Sequence, residues 1–155
     1  MASKDRRKMK SAARFYAVQA LFQMEAGDTG LDEVRLQFEG HRFGAVDEGV
    51  EWAEGHVDLF RSLLNEVVNR QSTIDQMTDR ALAEAWPIDR IDPTIRALFR
   101  AAGAELLIAQ TPPKVVISEF VDVAKAFFDG GREPKFVNAV LDHMAREAQP
   151  DAFAT

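Results

Sequence analysis

The sequence predicts an all-α fold, with about seven helices forming two packed helical bundles in one domain. Three observations carry that expectation. Apolar residues recur with a period near 3.6 along almost the whole chain. No stretch alternates apolar and polar residues between hairpin signals, as a half-buried strand would. Glycine and proline clusters interrupt the periodic segments at helix-length intervals.

The first helix is expected from about Ser11 to Ala26, with Ala13, Ala17, Leu21 and Met24 on one line and Phe15, Val18 and Phe22 widening the stripe. Gly27 to Gly30 stops it, and Leu31, Val34 and Phe38 mark a short second helix. The glycine-rich, acidic stretch from His41 to Gly55 reads as a loop that carries at most a helical turn. Val57, Phe60, Leu64, Val67 and Val68 define a third helix, and Ile74 to Ala85 a fourth. "WPIDRIDP" breaks the pattern, and Asp92 before Pro93 is a capping side chain ahead of a first-turn proline. In the helix that follows, Ala101, Ala102, Gly103 and Ala104 are small enough for close approach of a neighbour, either internally or across a dimer. Thr111-Pro112-Pro113 opens the next helix, which turns Val116, Ile117, Phe120, Val121, Ala124, Phe127 and Phe128 inward and Lys114, Ser118, Asp122, Lys125 and Asp129 outward. Gly130-Gly131 ends it, the last helix starts near Pro134, and the tail after Glu147 is expected to fray. The break near residue 87 divides residues 11–148 into an N-terminal bundle over about 11–85 and a C-terminal bundle over about 92–148. Residues 1–10 are left as a flexible basic arm.

A chain of 155 residues is long enough to bury roughly 68–70% of its unfolded surface. The absence of cysteine excludes disulfides, thiolate metal sites and cysteine nucleophiles, and suits a reducing cytosol. No apolar run is long enough to span a membrane, and the basic start lacks the apolar segment of a signal peptide. The expected location is the cytoplasm.

Catalytic patterns are missing. No glycine loop carries a following lysine and serine, Ser118 lacks a nucleophile context, and His41, His56 and His143 lack ligand spacing. The acidic pairs lie in a solvated loop where nothing raises a carboxyl pKa. The expectation is therefore no enzyme, no metal and no cofactor.

Charge is the informative feature. The first 14 residues hold Lys4, Arg6, Arg7, Lys8, Lys10 and Arg14 against Asp5 alone, a local +5 in a chain of net charge −6, which leaves −11 for the rest. Two readings follow: a solvated tail, or an anion-binding arm for nucleic acid with the acidic remainder facing a basic protein. A helix N-terminus attracts phosphate by its free N–H groups and dipole, and Lys8, Lys10 and Arg14 add charge there. Single-stranded nucleic acid also wants stacking surfaces. Of the neighbours Phe15 and Tyr16, the tyrosine with its hydroxyl is the one expected near the surface.

Three blocks together resemble the NusB family of bacterial transcription antitermination factors. They are "ARFYAVQALF", "IRALFRAAGAEL" and "PPKVVISEFVDVAKAFFDGGREPKFVNAVLDHMA", in order over residues 11 to 146. The resemblance implies a helical, non-catalytic protein that binds boxA-type single-stranded RNA in ribosomal RNA leader transcripts. It implies joint binding with the ribosomal protein NusE, within an RNA polymerase antitermination complex that reads through terminators. Arg6, Arg7, Lys8, Lys10, Arg14, Tyr16, Lys114 and Lys135 are then the RNA-binding candidates, and Phe22, Asp92, Glu105 and Glu119 the partner-binding ones. Gln19, Lys125, Phe136 and Asn138 also occupy motif positions, the last two read foremost as scaffolding, Phe136 in the core and Asn138 tying a neighbouring loop. On this reading Arg14→Ala lowers RNA affinity while leaving the thermal transition almost unmoved.

The sequence departs from the family pattern in two places. Ser11 and Ala12 stand where arginines usually precede the Ala-Arg pair, and Ile95 stands where an acidic residue is usual, so Asp92 or Glu105 is left to supply charge towards NusE. Two rival readings are a helical protein–protein adaptor with an incidental basic tail and the RNA-binding domain of a ribosomal RNA methyltransferase. The second would require a truncated chain. Monomer and homodimer both stay open.

Overall fold

Asp92 and Pro93 start the helix on which the rest is assembled. The Asp92 carboxylate accepts the Thr94 N–H at 2.7 Å, and Pro93 occupies a first-turn position where a missing N–H costs nothing. The computed structural model describes residues 3–42, 46–47, 50–51, 55–85, 91–128 and 133–153. The fold is all-α. Its helices are α1 (Ser3–Gly27), α2 (Leu31–Gln37), α3 (Val57–Ala85), α4 (Pro93–Ile108), α5 (Pro113–Phe127) and α6 (Glu133–Ala148).

From Ala97 to Leu106, α4 is buried at every position except Arg100. A helix apolar all round must be covered on all sides, and α1, α3, α5 and α6 all pack on it. A single core cluster therefore runs through both expected bundles. The small residues from Ala101 to Ala104 are what make the covering possible. A Cβ built on Gly103 would lie 2.7 Å from Ile74 Cγ2 of α3 and 3.2 Å from Met144 Cε of α6. The small-residue stripe thus packs inside the chain, not across a dimer.

Helix boundaries differ from the sequence reading in three places. The periodic segments around Val67 and Ile74 are one helix, α3, bent at Arg70, whose φ of −128° and ψ of 28° are not helical. That accounts for six α-helices among the described residues in place of about seven. Second, α1 begins at Ser3, so the basic residues expected in a flexible arm continue the helix. Third, the tail is ordered as far as Phe153: Pro150–Phe153 forms a 3₁₀ turn, with the Arg146 guanidinium 4.6 Å from the Phe153 ring centroid. Gln149 also donates to the Leu106 C=O at 2.8 Å, which ties the tail to α4.

Smaller features complete the picture. The expected loop after α2 opens with a π-helical turn (Phe38–Arg42), followed by a two-residue antiparallel ladder of β1 (Val46–Asp47) and β2 (Val50–Glu51). The expected break at Trp86–Arg90 and the turn at Asp129–Gly131 lie outside the described residues. Among the described residues, no helix is long and apolar enough to cross a membrane. On α5, Val116, Ile117, Phe120 and Ala124 are buried, and Lys114, Ser118, Asp122 and Lys125 are exposed, as the periodicity requires.

Two substitutions probe this packing. Gly103→Ala should destabilise the protein by about 1–3 kcal/mol, because the buried, branched Ile74 cannot yield cheaply, even though alanine is the better helix former. Ala109, the α4 C-cap, holds a left-handed conformation at φ 61°. Ala109→Gly should therefore stabilise by about 1 kcal/mol. Denaturant midpoints at unchanged m-value check both.

Candidate functional site

Arg14 lies where α1 meets α4 and α5, and it is only 3% exposed. Its Nε and Nη2 donate to the two Glu105 oxygens on α4 at 2.7 and 2.8 Å, a two-point bond that suits the planar guanidinium. Its Nη1 donates to Glu119 Oε1 on α5 at 2.9 Å. Ser11, one turn earlier on α1, donates its hydroxyl to both Glu119 oxygens at 2.9 and 3.0 Å. Burial works against the charge of Arg14. The hydrogen bonds and field of Glu105, with Glu119 behind, outweigh that and hold its pKa above the ordinary arginine value.

This geometry corrects three of the expected site residues. Arg14 does not face RNA phosphates; its donors are spent on two carboxylates from distant parts of the chain. Glu105 is 2% exposed and is the inner partner of Arg14, so it offers no charge to another protein. Tyr16 is 2% exposed. It shares one face of α1 with the buried Ala13, Ala17 and Ala20, and its ring lies edge-on to Phe15 and Phe38. Phe15, expected inside, is the half-buried member of the pair. Its ring stacks on Phe127 at 4.8 Å. Glu119 is bound to Arg14 and Ser11, while Lys125 pairs with Asp122 at 3.9 Å.

The remaining cations separate into two groups. Arg35, Arg61, Arg70, Arg80, Arg96, Arg100, Lys125 and Arg146 each have a carboxylate within ion-pair distance. Among the described side chains, the cations without an ion pair are Arg6, Arg7, Lys8, Lys10, Lys114 and Lys135. Arg6, Arg7, Lys8, Lys114 and Lys135 are exposed and Lys10 half-buried.

The contacts between α1 and α5 show how these residues are arranged. Ser11 meets Glu119 and Phe15 meets Phe127, so the two helices run side by side in the same direction. Lys114, at the start of α5, is exposed and borders a groove with Asn138 and Asp142 of α6. Phe22, about 18 Å beyond Lys10 along α1, is 39% exposed. It borders a cleft of about 520 Å³ together with Val18, Gln19, Phe38, Thr94 and Phe127. Asp92 accepts the N–H of Thr94, one of the cleft residues, but does not itself line the cleft. Lys135 lies in the first turn of α6, after the end of α5. Ser11 and His56 carry geometry that sequence reasoning passed over. His56 Nδ1 accepts the Leu59 N–H at 3.1 Å and caps α3, and its N–H reaches the Met9 C=O at 3.0 Å.

The sequence model of the NusB family matches residues 11–146. The chain belongs to the NusB family. The transcription antitermination protein NusB of Maricaulis maris is 47% identical over 152 residues, covering 97% of this chain and 94% of its own. That of Agrobacterium fabrum is 42% identical over 144 residues, covering 92% and 87%. A solved NusB structure from T. maritima superposes with a TM-score of 0.71 at 27% identity, covering 92% of this chain and 95% of the other. Within this NusB-family fold, the matched region begins at Ser11, so the exposed Arg6, Arg7 and Lys8 and the half-buried Lys10 precede it. Among the described residues, no group of three or more His, Asp or Glu is arranged to hold a metal ion.

Removing one partner of a buried ion pair leaves the other charge stranded, so Arg14→Ala and Glu105→Gln should each cost about 3–5 kcal/mol of stability. Equilibrium unfolding reads this directly. It reverses the sequence-based expectation that Arg14→Ala leaves the thermal transition unmoved. Arg14→Ala together with Glu105→Leu should recover part of the loss, because neither charge is then buried alone.

Proposed function

We propose that the protein is a transcription antitermination factor. It binds boxA-type RNA of ribosomal RNA leader transcripts together with the ribosomal protein NusE, and so assists RNA polymerase to read through terminators in the cytoplasm. The observation that carries this reading is the partition of cations. The described arginines of the helical body are neutralised by carboxylates, whereas Arg6, Arg7, Lys8, Lys10, Lys114 and Lys135 remain available to phosphate. Family membership supports it, since the relatives described above are named as antitermination proteins.

The RNA backbone meets the basic end of the α1–α5 seam. NusE, a basic partner to an acidic body, meets the cleft bordered by Phe22 and by Thr94, the residue that Asp92 caps, with the partly exposed Glu119 on the same seam of α1 and α5. The role is regulatory and non-catalytic.

Fluorescence anisotropy with a boxA-containing leader fragment and a scrambled control, each with and without NusE, tests the reading. Selective binding that tightens with NusE is expected. With about four phosphate contacts, the log–log salt slope should be near −2.8. Lys8→Ala with Lys10→Ala should weaken binding to both RNAs and reduce the slope by about 1.4, with the unfolding midpoint unchanged. Equal, weak binding to both RNAs, indifferent to NusE, would leave the adaptor reading in its place.

A further inference from the structure

We propose that Ser11 and Glu119 form a tether that sets the direction of the basic turns of α1, which makes Ser11 a positioning residue for RNA. The proposal rests on the RNA-binding reading above. It starts from an oddity of residue choice. Serine in a helix interior is a weaker helix former than alanine, and its hydroxyl ordinarily bonds back to a carbonyl one turn earlier. The Ser11 hydroxyl instead crosses to α5 and donates to the Glu119 oxygens at 2.9 and 3.0 Å.

Glu119 needs that donor. Arg14 is committed to Glu105 by two bonds and spares only Nη1 for the second carboxylate. The side chain of Glu119 is 23% exposed, and without Ser11 its charge would be less firmly held, beside a surface meant for phosphate. Ser11 draws the carboxylate towards α1 and α1 towards α5.

A second grip lies next to the first. The His56 N–H donates to the Met9 C=O at 3.0 Å, from the residue whose side chain caps α3. Within three residues, α1 is therefore held from α5 and from the approach to α3. Upstream of these grips the helix continues with Asp5, Arg6, Arg7 and Lys8 all exposed. A free helix of that length is marginal in water. Its order comes from the turns below it, and each residue adds a fixed 100° of rotation. The azimuth of every basic side chain is thus set where Ser11 and Met9 are held. A preorganised array spares the ordering cost that a mobile basic tail pays on binding.

The test compares Ser11→Ala and Ser11→Thr with the parent, using amide hydrogen exchange and boxA RNA affinity. Helix propensity alone predicts slower exchange at residues 7–13 in Ser11→Ala. The tether predicts the opposite: exchange there about three- to tenfold faster, with the α4 amides unchanged. RNA affinity should fall about three- to tenfold at an unaltered salt slope, because no phosphate contact is removed. Ser11→Thr, which keeps the hydroxyl, should restore both. Unchanged or slower exchange at residues 7–13 overturns the tether, as does acceleration spread evenly through α4. Unchanged affinity in Ser11→Ala, with a parent that binds boxA, overturns the positioning role. A parent that does not bind boxA sinks the functional reading instead, and the exchange comparison still decides whether the tether exists.

Discussion

A guanidinium buried between three helices constrains this fold more tightly than any apolar contact. Apolar burial is non-directional, and α1 is apolar around much of its circumference, with Ala13, Tyr16, Ala17, Val18, Ala20 and Leu21 all buried. Packing alone would tolerate several rotations of such a helix. The bidentate bond from Arg14 to Glu105 accepts only one, and it fixes the level of α1 against α4 as well as its azimuth. The bond to Glu119 then brings α5 into the same register. A second arginine repeats the device from the other side. Arg100 of α4 donates to Asp75 of α3 at 3.0 and 3.1 Å and to Glu25 of α1 at 2.8 Å. Between them the two arginines tie the apolar, nearly featureless α4 to three neighbours.

Such ties are weak evidence for net stability, because taking three charged groups from water is expensive. Their value lies in specificity. The small residues of α4 permit close approach without dictating which neighbour comes or at what height. A carboxylate that must find a guanidinium supplies that information. Gly103 completes the arrangement: the room it leaves for Ile74 and Met144 is usable only when α3 and α6 arrive at one level.

Much of the fold was legible because helical periodicity is a local property. The α5 face, the Asp92 cap and the close-packing role of Ala101 to Ala104 all follow from spacing and side-chain size. What escaped was of two kinds. The first was helix without apolar pattern: residues 3–10 have no core face to reveal them, although lysine and arginine are good helix formers and Asp5 suits a first turn. The kink at Arg70 likewise has no glycine or proline to announce it. The second was long-range partnership. The partners of Arg14 lie 91 and 105 positions away, so its charge read as surface charge. Tyr16 misled for a related reason, since its hydroxyl suggested solvent while its ring is buried edge-on to Phe38 of another element. Lys114 was correctly read as exposed because helix phase and solvent preference agreed there.

Pairing also explains how an acidic protein offers a localised surface to a polyanion. Total charge would repel RNA, but at physiological salt the Debye length is about 8 Å, so an approaching phosphate senses only its neighbourhood. Over the described helical body, each arginine has a carboxylate close enough to cancel it, and the excess acid remains to discourage contact. Beside Lys8 and Lys10 no described carboxylate is close enough to form an ion pair, and Lys114 adds its charge within the first turn of α5, where the helix dipole is also positive. Selectivity between surfaces of one molecule then depends on which cations lack partners, not on how many cations there are. Had Arg14 been left exposed, the field at the basic end would be stronger but the helix carrying it would be free to turn. Burying that arginine removes one cation from the surface and fixes the orientation of the helix that carries the others.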